Sequence, residues 1–401
     1  MPDTTSDPAS GPEDVGMIDP DPATLTSDHT SKLQQWLHPT DYLADSSEFR
    51  RHLLSQAPGT GIWLCEASRF QQWHGSNVHG TLWIKGVPGA GKSVMAASMI
   101  EYLRITENVP VLFFFFRHIV EANRKPRDLV RNFLAQLLPY SARLQSVLYP
   151  LLKDGARMEE MSDENLWEHM LLGLSSVEKA YCVIDALDEM ELGPKDGFLQ
   201  RLNSLATFRP DSFKVSMTSR SKQYLQSGLK DASIVHISLE DDLVGKDIAV
   251  FVSHQLRTVL SDEQTRLRDS LTSIICERSK GLFLYAKLLI DQVIPTLQSG
   301  NLDTEQLANT LPIGLEEMYD SMLFKQTQAL RVDQNIQVFL LQAVNHSSRA
   351  LRLNELASAL TCAFPRIELA TAKTITRSAC SPLLQILEDE TIQVIHRSFT
   401  E

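Results

Sequence analysis

The feature that most constrains the fold is a glycine-rich stretch between an apolar run and a helical pattern. Residues 81–104 read TLWIKGVPGAGKSVMAASMIEYLR. The spacing is G-x-x-x-x-G-K-[ST], in which glycines let backbone N–H groups turn inward around an anion. The helix that follows adds its free N-terminal N–H groups and its dipole. The stretch therefore predicts a phosphate-binding loop between a strand and a helix.

This loop predicts a bound nucleotide. Lys92 is expected to reach the β- and γ-phosphates, and the Ser93 hydroxyl is expected to ligate Mg²⁺. ATP or GTP with Mg²⁺ is the expected cofactor. A plain glycine-rich turn is the alternative, and the flanking strand and helix argue against it. The predicted nucleotide-binding residues of the loop are Gly86, Val87, Pro88, Gly89, Ala90, Gly91, Lys92 and Ser93.

A second stretch, YCVIDALDEME at residues 181–191, supplies acidic groups. An apolar strand here ends in Asp185, which we expect to hold Mg²⁺ through water, opposite Ser93. Asp188 and Glu189 follow directly, and one of them is predicted to be the general base for an attacking water. Taken alone, a strand that ends in acids is more often a solvated turn. Beside a phosphate loop, the metal-site interpretation is favoured.

A third strand pattern, FKVSMTSR at residues 213–220, ends in Arg220. An arginine at the same edge of the sheet can contact the γ-phosphate through a charge-assisted hydrogen bond. Arg220 is therefore included among the predicted catalytic residues with Asp188 and Glu189. A surface arginine is the alternative for this motif alone.

Five apolar runs alternate with amphipathic stretches from residue 81 onward, and a helical pattern follows. This order is typical of a parallel sheet covered by helices. We predict an α/β P-loop fold with a five-stranded, mostly parallel sheet, a helical lid and an incomplete winged helix. The predicted strands lie at 81–85, 109–116, 180–185, 213–218 and 233–238. The predicted domains are a disordered acidic tail (1–30), an N-terminal helical segment (31–80), the nucleotide-binding domain (81–240), the helical lid (241–312), and a helical linker with a truncated winged helix (313–401).

The winged-helix prediction depends on the C-terminal pattern. A helix is predicted over Ala372–Leu387, and the alternating run TIQVIH at 391–396 predicts a strand after an acidic turn. The sequence ends five residues after His396, so the winged helix is expected to be incomplete.

Composition excludes several other classes of protein. The formal net charge of -12 argues against a body that binds nucleic acid or anionic lipid through bulk charge. The five cysteines are far apart and form no C-x-x-C pair, which fits a reducing compartment. The acidic, proline-rich beginning is not a signal peptide, and the apolar run at 109–116 is too short for a membrane span. We therefore expect a cytoplasmic protein with no membrane or direct nucleic-acid partner.

Taken together, the motifs resemble the NACHT NTPases, the signal-transduction ATPases of the NOD-like receptors, and their fungal branch above all. The phosphate loop, the D-A-L-D-E strand end and the T-S-R strand end carry the resemblance. It extends from residue 33 to the end through similar segments before and after them. These read GTGIWL (59–64), RFQQW (69–73), GLFLYAKLLID (281–291), LPIGLEEMYDSML (311–323), SACSPLLQILED (378–389) and VIHRSFTE (394–401).

The resemblance implies a nucleotide bound between the α/β domain and the lid, with ADP holding a closed form and ATP an open one. It implies that His396 reaches the β-phosphate of ADP, although a lone strand histidine is more often structural. Protein partners or self-association are expected in the ATP form, and the implied role is fungal non-self recognition or programmed cell death signalling. Two features depart from the pattern. Phe283 stands where many relatives have a proline that packs on the base, and no ankyrin, WD or TPR repeats are present.

Two other functions stay open. The chain could bind nucleotide with negligible hydrolysis and act as a scaffold or partner of a larger receptor, which the missing repeats favour and the intact acids oppose. It could instead be an ATPase whose winged helix binds DNA. The recognition helix of such a protein should be rich in basic residues, and the predicted helix has only Lys373 and Arg377.

Overall fold

The computed structural model describes residues 27–191, 197–239, 241–298, 311–330, 332–379, 381, 383–387 and 390–394. Its centre is a five-stranded sheet in the order β2-β3-β4-β1-β5, with every neighbouring pair parallel. The strands β1 to β4 are almost entirely buried, as expected of a sheet covered by helices. The P-loop α/β fold predicted from the sequence is confirmed. The strands are β1 (Thr81–Lys85), β2 (Val111–Phe115), β3 (Ala180–Asp185), β4 (Phe213–Ser219) and β5 (Ile234–Ser238).

From residue 27 onward, where the description begins, four α-helices precede the sheet and pack into its hydrophobic core through Leu37, Phe49, Leu64 and Trp73. The first begins at Ser27, within the range 1–30 that composition assigned to a tail. These helices bring the N-terminal segment against β2 and β5, so it packs as one unit with the sheet. They are α1 (Ser27–Leu37), α2 (Glu48–Ser55), α3 (Ile62–Glu66) and α4 (Ser68–His74).

In the parts of the chain that the structure describes, six α-helices lie between the strands. The first follows the glycine-rich loop directly, and its buried face lies against β2, β3 and β4. These helices are α5 (Lys92–Thr106), α6 (Pro126–Leu137), α7 (Ala142–Lys153), α8 (Asp163–Ser175), α9 (Phe198–Phe208) and α10 (Gln223–Gly228).

A helical subdomain follows β5, as the loss of strand patterns predicted. Its helices share the main hydrophobic core with the sheet through residues such as Ile248, Leu271 and Leu289. Among the described residues, no helix is both long and apolar enough to cross a membrane. The helices of this region are α11 (Asp241–Arg257), α12 (Thr265–Ser279), α13 (Phe283–Gln298) and α14 (Gly314–Leu330).

The C-terminal region has a second hydrophobic core and a small antiparallel sheet in the order β6-β8-β7. The predicted helix over Ala372–Leu387 is wrong in its second half, because the helix ends at Ser378 and residues 384–386 pair with β8 as a strand. The order of elements agrees with a winged helix, which stays a prediction. The elements are α15 (Gln334–Asn345), β6 (Leu351–Arg352), α16 (Leu353–Ala363), α17 (Leu369–Ser378), β7 (Leu384–Ile386) and β8 (Thr391–Val394).

Candidate nucleotide-binding site

The glycine-rich loop lies between β1 and α5, at the carboxyl edge of the sheet. Gly89 and Gly91 have φ angles of 78° and 86°, which side-chain-bearing residues rarely adopt. The Lys92 ammonium donates to the carbonyl oxygens of Gly86 at 3.0 Å and Val87 at 2.8 Å. The Lys92 side chain therefore folds back over the loop. Two backbone oxygens accept hydrogen bonds from the ammonium group that a phosphate would otherwise accept.

Asp185 ends β3 beside this loop and is 2% exposed. The Thr218 hydroxyl donates to its Oδ1 at 2.5 Å, and Ser93 forms a second side-chain hydrogen bond with it. Burial raises the pKa of the Asp185 carboxyl. A buried carboxylate beside a serine hydroxyl is an oxygen donor set that fits a hard cation such as Mg²⁺.

The chain turns sharply after Asp185, since Ala186 has a left-handed φ of 53°. Such strain in a residue other than glycine is typical of functional sites. The turn brings the next two acids back to the loop. Asp188 accepts from the backbone N–H of Arg220 at 2.9 Å and from its Nε at 2.6 Å. Burial would raise the pKa of Asp188, but the hydrogen bonds and charge of Arg220 hold it below its ordinary value.

Glu189, the other candidate base, has a different environment from Asp188. Its Oε2 accepts from the backbone N–H of His118 at 3.2 Å. Its charge acts on Arg117, which follows β2. Glu189 therefore lies at the same end of the site as Lys92. Burial lowers the pKa of the Lys92 ammonium, and the charges of Asp185 and Asp188 offset only part of this effect.

The lid closes directly onto the loop. The backbone N–H of Leu284 donates to the carbonyl oxygen of Gly89 at 3.1 Å, and a Cβ on Gly89 would lie 3.0 Å from the Leu284 Cβ. Phe283 packs against Phe251 with ring centroids 5.2 Å apart, so α13 and α11 meet above the loop. Only glycine at position 89 permits this approach.

Loop and lid enclose a cavity of about 430 Å³. One end holds the charged residues Lys92, Asp188, Glu189 and Arg220. At the other end the N-terminal segment meets the lid, where Asp247 accepts from the backbone N–H of Gly61 at 3.0 Å and from Trp63 Nε1 at 2.8 Å. The cavity is lined from the N-terminal segment by residues 52, 54–57, 60 and 61, and from the lid by Val244, Asp247, Phe251, Gln255, Phe283, Leu284, Lys287, Ile290 and Asp291.

The structure brings together every predicted site residue that it describes. Asp188, Glu189, Arg220 and the loop residues 88–93 line the cavity, and Asp185 lies behind Ser93. His396 lies outside the described residues. Sequence reasoning missed His52, Arg117 and the Asp247 contact. The available signal for the Asp247 contact is the segment GTGIWL at 59–64, which by itself carries a family resemblance and no contact.

Fold and site define a P-loop NTPase with a lid. Residues 59–220 match the family model described as Nephrocystin 3, N-terminal. The chain is 22% identical over 310 residues to the vegetative incompatibility protein HET-E-1 of Podospora anserina, with 74% of this chain and 22% of that protein covered. The chain thus spans about a fifth of the length of that relative. Together with the motifs, these matches support the resemblance to the NACHT-domain NTPases of the fungal NOD-like receptor type.

Two solved structures are similar over most of the chain. A Walker-type ATPase of Pyrococcus abyssi matches at a TM-score of 0.41 and 12% identity, covering 84% of this chain and 93% of that one. The Orc1 protein of Aeropyrum pernix, in complex with DNA, matches at a TM-score of 0.40 and 11% identity, covering 91% of this chain and 94% of that one.

Proposed function

We propose that this protein is a signal-transduction NTPase that switches between an ADP-bound closed form and an ATP- or GTP-bound open form. One observation carries the proposal. The phosphate loop and the lid share a single cavity and touch through the Gly89–Leu284 hydrogen bond. A triphosphate in that cavity would contact both units, so its terminal phosphate can change how they meet.

The position of each residue in the cavity suggests its role. Lys92 would exchange the carbonyls of Gly86 and Val87 for the β- and γ-phosphates. Ser93 and Asp185 would hold Mg²⁺, which supplies neutralisation of the phosphate charge. Glu189 is the better general base, because Asp188 is held by Arg220 and its pKa is lowered.

Arg220, at the end of β4, would contact the γ-phosphate and so respond to its presence. Its guanidinium already has a carboxylate partner in Asp188, so a phosphate would join or replace a charge-assisted contact. To move a two-state equilibrium from 1:99 to 99:1, the triphosphate must favour the open form by about 5.5 kcal/mol. Several such contacts acting together are of that order. His396 would stabilise the ADP-bound form from the predicted winged helix.

The biological role is proposed from the similarity to the vegetative incompatibility protein. Non-self recognition or programmed cell death signalling in a fungus would use the open form for self-association or binding of protein partners. The site would then lie in the cytoplasm, where the nucleotide is abundant.

A second candidate, a nucleotide-binding scaffold with negligible hydrolysis, is favoured by one observation. Both oxygens of Asp188 accept from Arg220, and Glu189 accepts from the backbone of His118. An acid that already accepts hydrogen bonds activates water less readily. The DNA-associated ATPase gains no such support, because Arg377 on α17 pairs with Glu390 at 3.3 Å.

Single-turnover release of phosphate from bound ATP and GTP distinguishes the two candidates. We expect slow release by the wild type and at least about 100-fold slower release by Glu189→Gln, since removal of a general base costs about 10²–10⁴ in rate. Binding of the triphosphate should persist in this variant. Glu168→Gln, an identical change on α8 outside the cavity, is the control. No measurable release by the wild type would favour the scaffold.

A further inference from the structure

Arg117 is an arginine in the nucleotide cavity for which the motifs gave no role. It follows β2 at the carboxyl edge of the sheet, two residues after Phe115, which pairs in register with Asp185. Its backbone is fixed, because its N–H donates to Asn123 O at 2.9 Å and its carbonyl accepts from Val120 at 3.1 Å. Arg117 lines the same cavity as Lys92 and Glu189.

The guanidinium of Arg117 is held from the N-terminal segment. Its Nε lies 2.5 Å from the Glu48 carboxylate, which is 12% exposed and also meets His52 Nε2 at 3.3 Å. Glu48 is the first residue of α2, and the same helix lines the cavity through His52, Leu54 and Ser55. One ion pair therefore connects the phosphate end of the cavity to this helix.

The charges around Arg117 suit a phosphate. Burial would lower the pKa of its guanidinium, but the carboxylates of Glu48, Glu189 and Asp185 raise it, so the group stays charged. A guanidinium has five N–H donors, and Glu48 is contacted by Nε. The charge of a γ-phosphate, held by Lys92 and Mg²⁺, would compete with that of Glu48.

We propose that Arg117 reads the γ-phosphate and relays its presence to helix α2 by loosening the Arg117–Glu48 ion pair. This inference rests on the proposed nucleotide switch and adds a second arginine to Arg220. The triphosphate draws the Arg117 guanidinium towards the cavity. Glu48 then loses its partner, and α2 becomes less firmly held against the sheet. A diphosphate has no group at that position and leaves the ion pair intact.

The first test is calorimetric titration with ADP, GDP and their non-hydrolysable imido triphosphates in Mg²⁺. Arg117→Gln should weaken triphosphate binding about 10-fold or more, because a charge-assisted hydrogen bond to the γ-phosphate is lost. Diphosphate binding should change less than about twofold. Glu48→Gln should strengthen triphosphate binding, because the competing carboxylate is gone. Arg124→Gln is the matched control, an arginine paired with Glu191 at 2.6 Å that does not line the cavity.

The second test is hydrogen exchange of residues 48–55 with each nucleotide. The wild type should exchange faster with triphosphate than with diphosphate, and this difference should disappear in Arg117→Gln and in Glu48→Gln. Two results would overturn the proposal while leaving the nucleotide switch intact. One is an equal loss of affinity for diphosphate and triphosphate in Arg117→Gln, and the other is equal hydrogen exchange of the wild type with the two nucleotides. A wild type that binds neither nucleotide would overturn both.

Discussion

The buried ammonium of Lys214 shows how much one residue contributes outside the cavity. Lys214 lies on β4 and is 1% exposed. Its Nζ donates to the carbonyl oxygens of Trp73 at 2.8 Å, Ser76 at 2.5 Å and His79 at 2.9 Å. The end of α4 and the chain that leads into β1 are thereby tied to the centre of the sheet.

Lys214→Met should lower the free energy of unfolding by about 1–3 kcal/mol, because the carbonyls lose their donor. Burial lowers the pKa of Lys214 from 10.5 to about 8. Between those pH values the unfolded chain binds this proton more tightly, so the wild type gains stability as pH rises through that window. In urea titrations, the difference in free energy of unfolding between the wild type and Lys214→Met should therefore increase from pH 8 to 10.5. Lys230→Met, at an exposed position, is the control, and an equal effect there would refute the role.

Helices and strands were predictable where the pattern was local. The apolar runs placed β1 and β3 at their observed bounds and the other three strands within two residues, because buried parallel strands are continuous apolar segments. The acids and Arg220 could be assigned because parallel strands end at one edge. The Gly61–Asp247 contact joins residues 186 positions apart, and the Arg117–Glu48 pair links two ordinary charged residues. No local pattern marks such contacts.

The helix over 372–387 was mispredicted for a related reason. Leu384 and Ile386 continue an apolar spacing that a helix also shows, and short apolar runs are ambiguous between the two structures. The segment forms a strand because Leu384 and Ile386 pair with Val394 and Ile392 of β8. This pairing depends on the tertiary structure and cannot be seen in the local sequence.

The contact between loop and lid can be tested by a pair of glycines. Gly89→Ala should disturb the lid, because its Cβ would lie 3.0 Å from the Leu284 Cβ at a φ of 78°. Gly155→Ala is a matched control, with a φ of 77° and nothing within 4 Å of the added Cβ. Both should lose about 1 kcal/mol of stability from the strained backbone. Only Gly89→Ala should also weaken nucleotide binding, by at least about 10-fold. Equal nucleotide affinity in the two variants would contradict a tight lid contact.

At the scale of the whole molecule, the described residues form two hydrophobic cores, one shared by the sheet, the N-terminal helices and the lid, the other in the C-terminal region. Gln337, which is 1% exposed, connects elements near their junction, since its amide donates to Ala379 O at 2.7 Å and its Oε1 accepts from Thr327 at 2.7 Å. The nucleotide cavity belongs wholly to the first unit.

We therefore expect two unfolding transitions in scanning calorimetry. A ligand at 100 times its Kd stabilises by about 2.7 kcal/mol, which corresponds to a rise in Tm of roughly 4 °C for a unit of about 300 residues. Mg²⁺ and a non-hydrolysable triphosphate should raise the transition of the first unit and leave the other unchanged. One transition that shifts as a whole would mean that both cores unfold together.

The central claim is that the cavity between loop and lid binds a nucleoside triphosphate through Lys92. Calorimetric titration of ATP and GTP with Mg²⁺ tests it most directly, in the wild type, in Lys92→Ala and in Lys153→Ala, an exposed lysine outside the cavity. The wild type and Lys153→Ala should bind one of the nucleotides with the same Kd. Lys92→Ala should bind it at least about 100-fold more weakly, because the ammonium that meets both terminal phosphates is gone. Unchanged affinity in Lys92→Ala, or no binding by the wild type, would contradict the account.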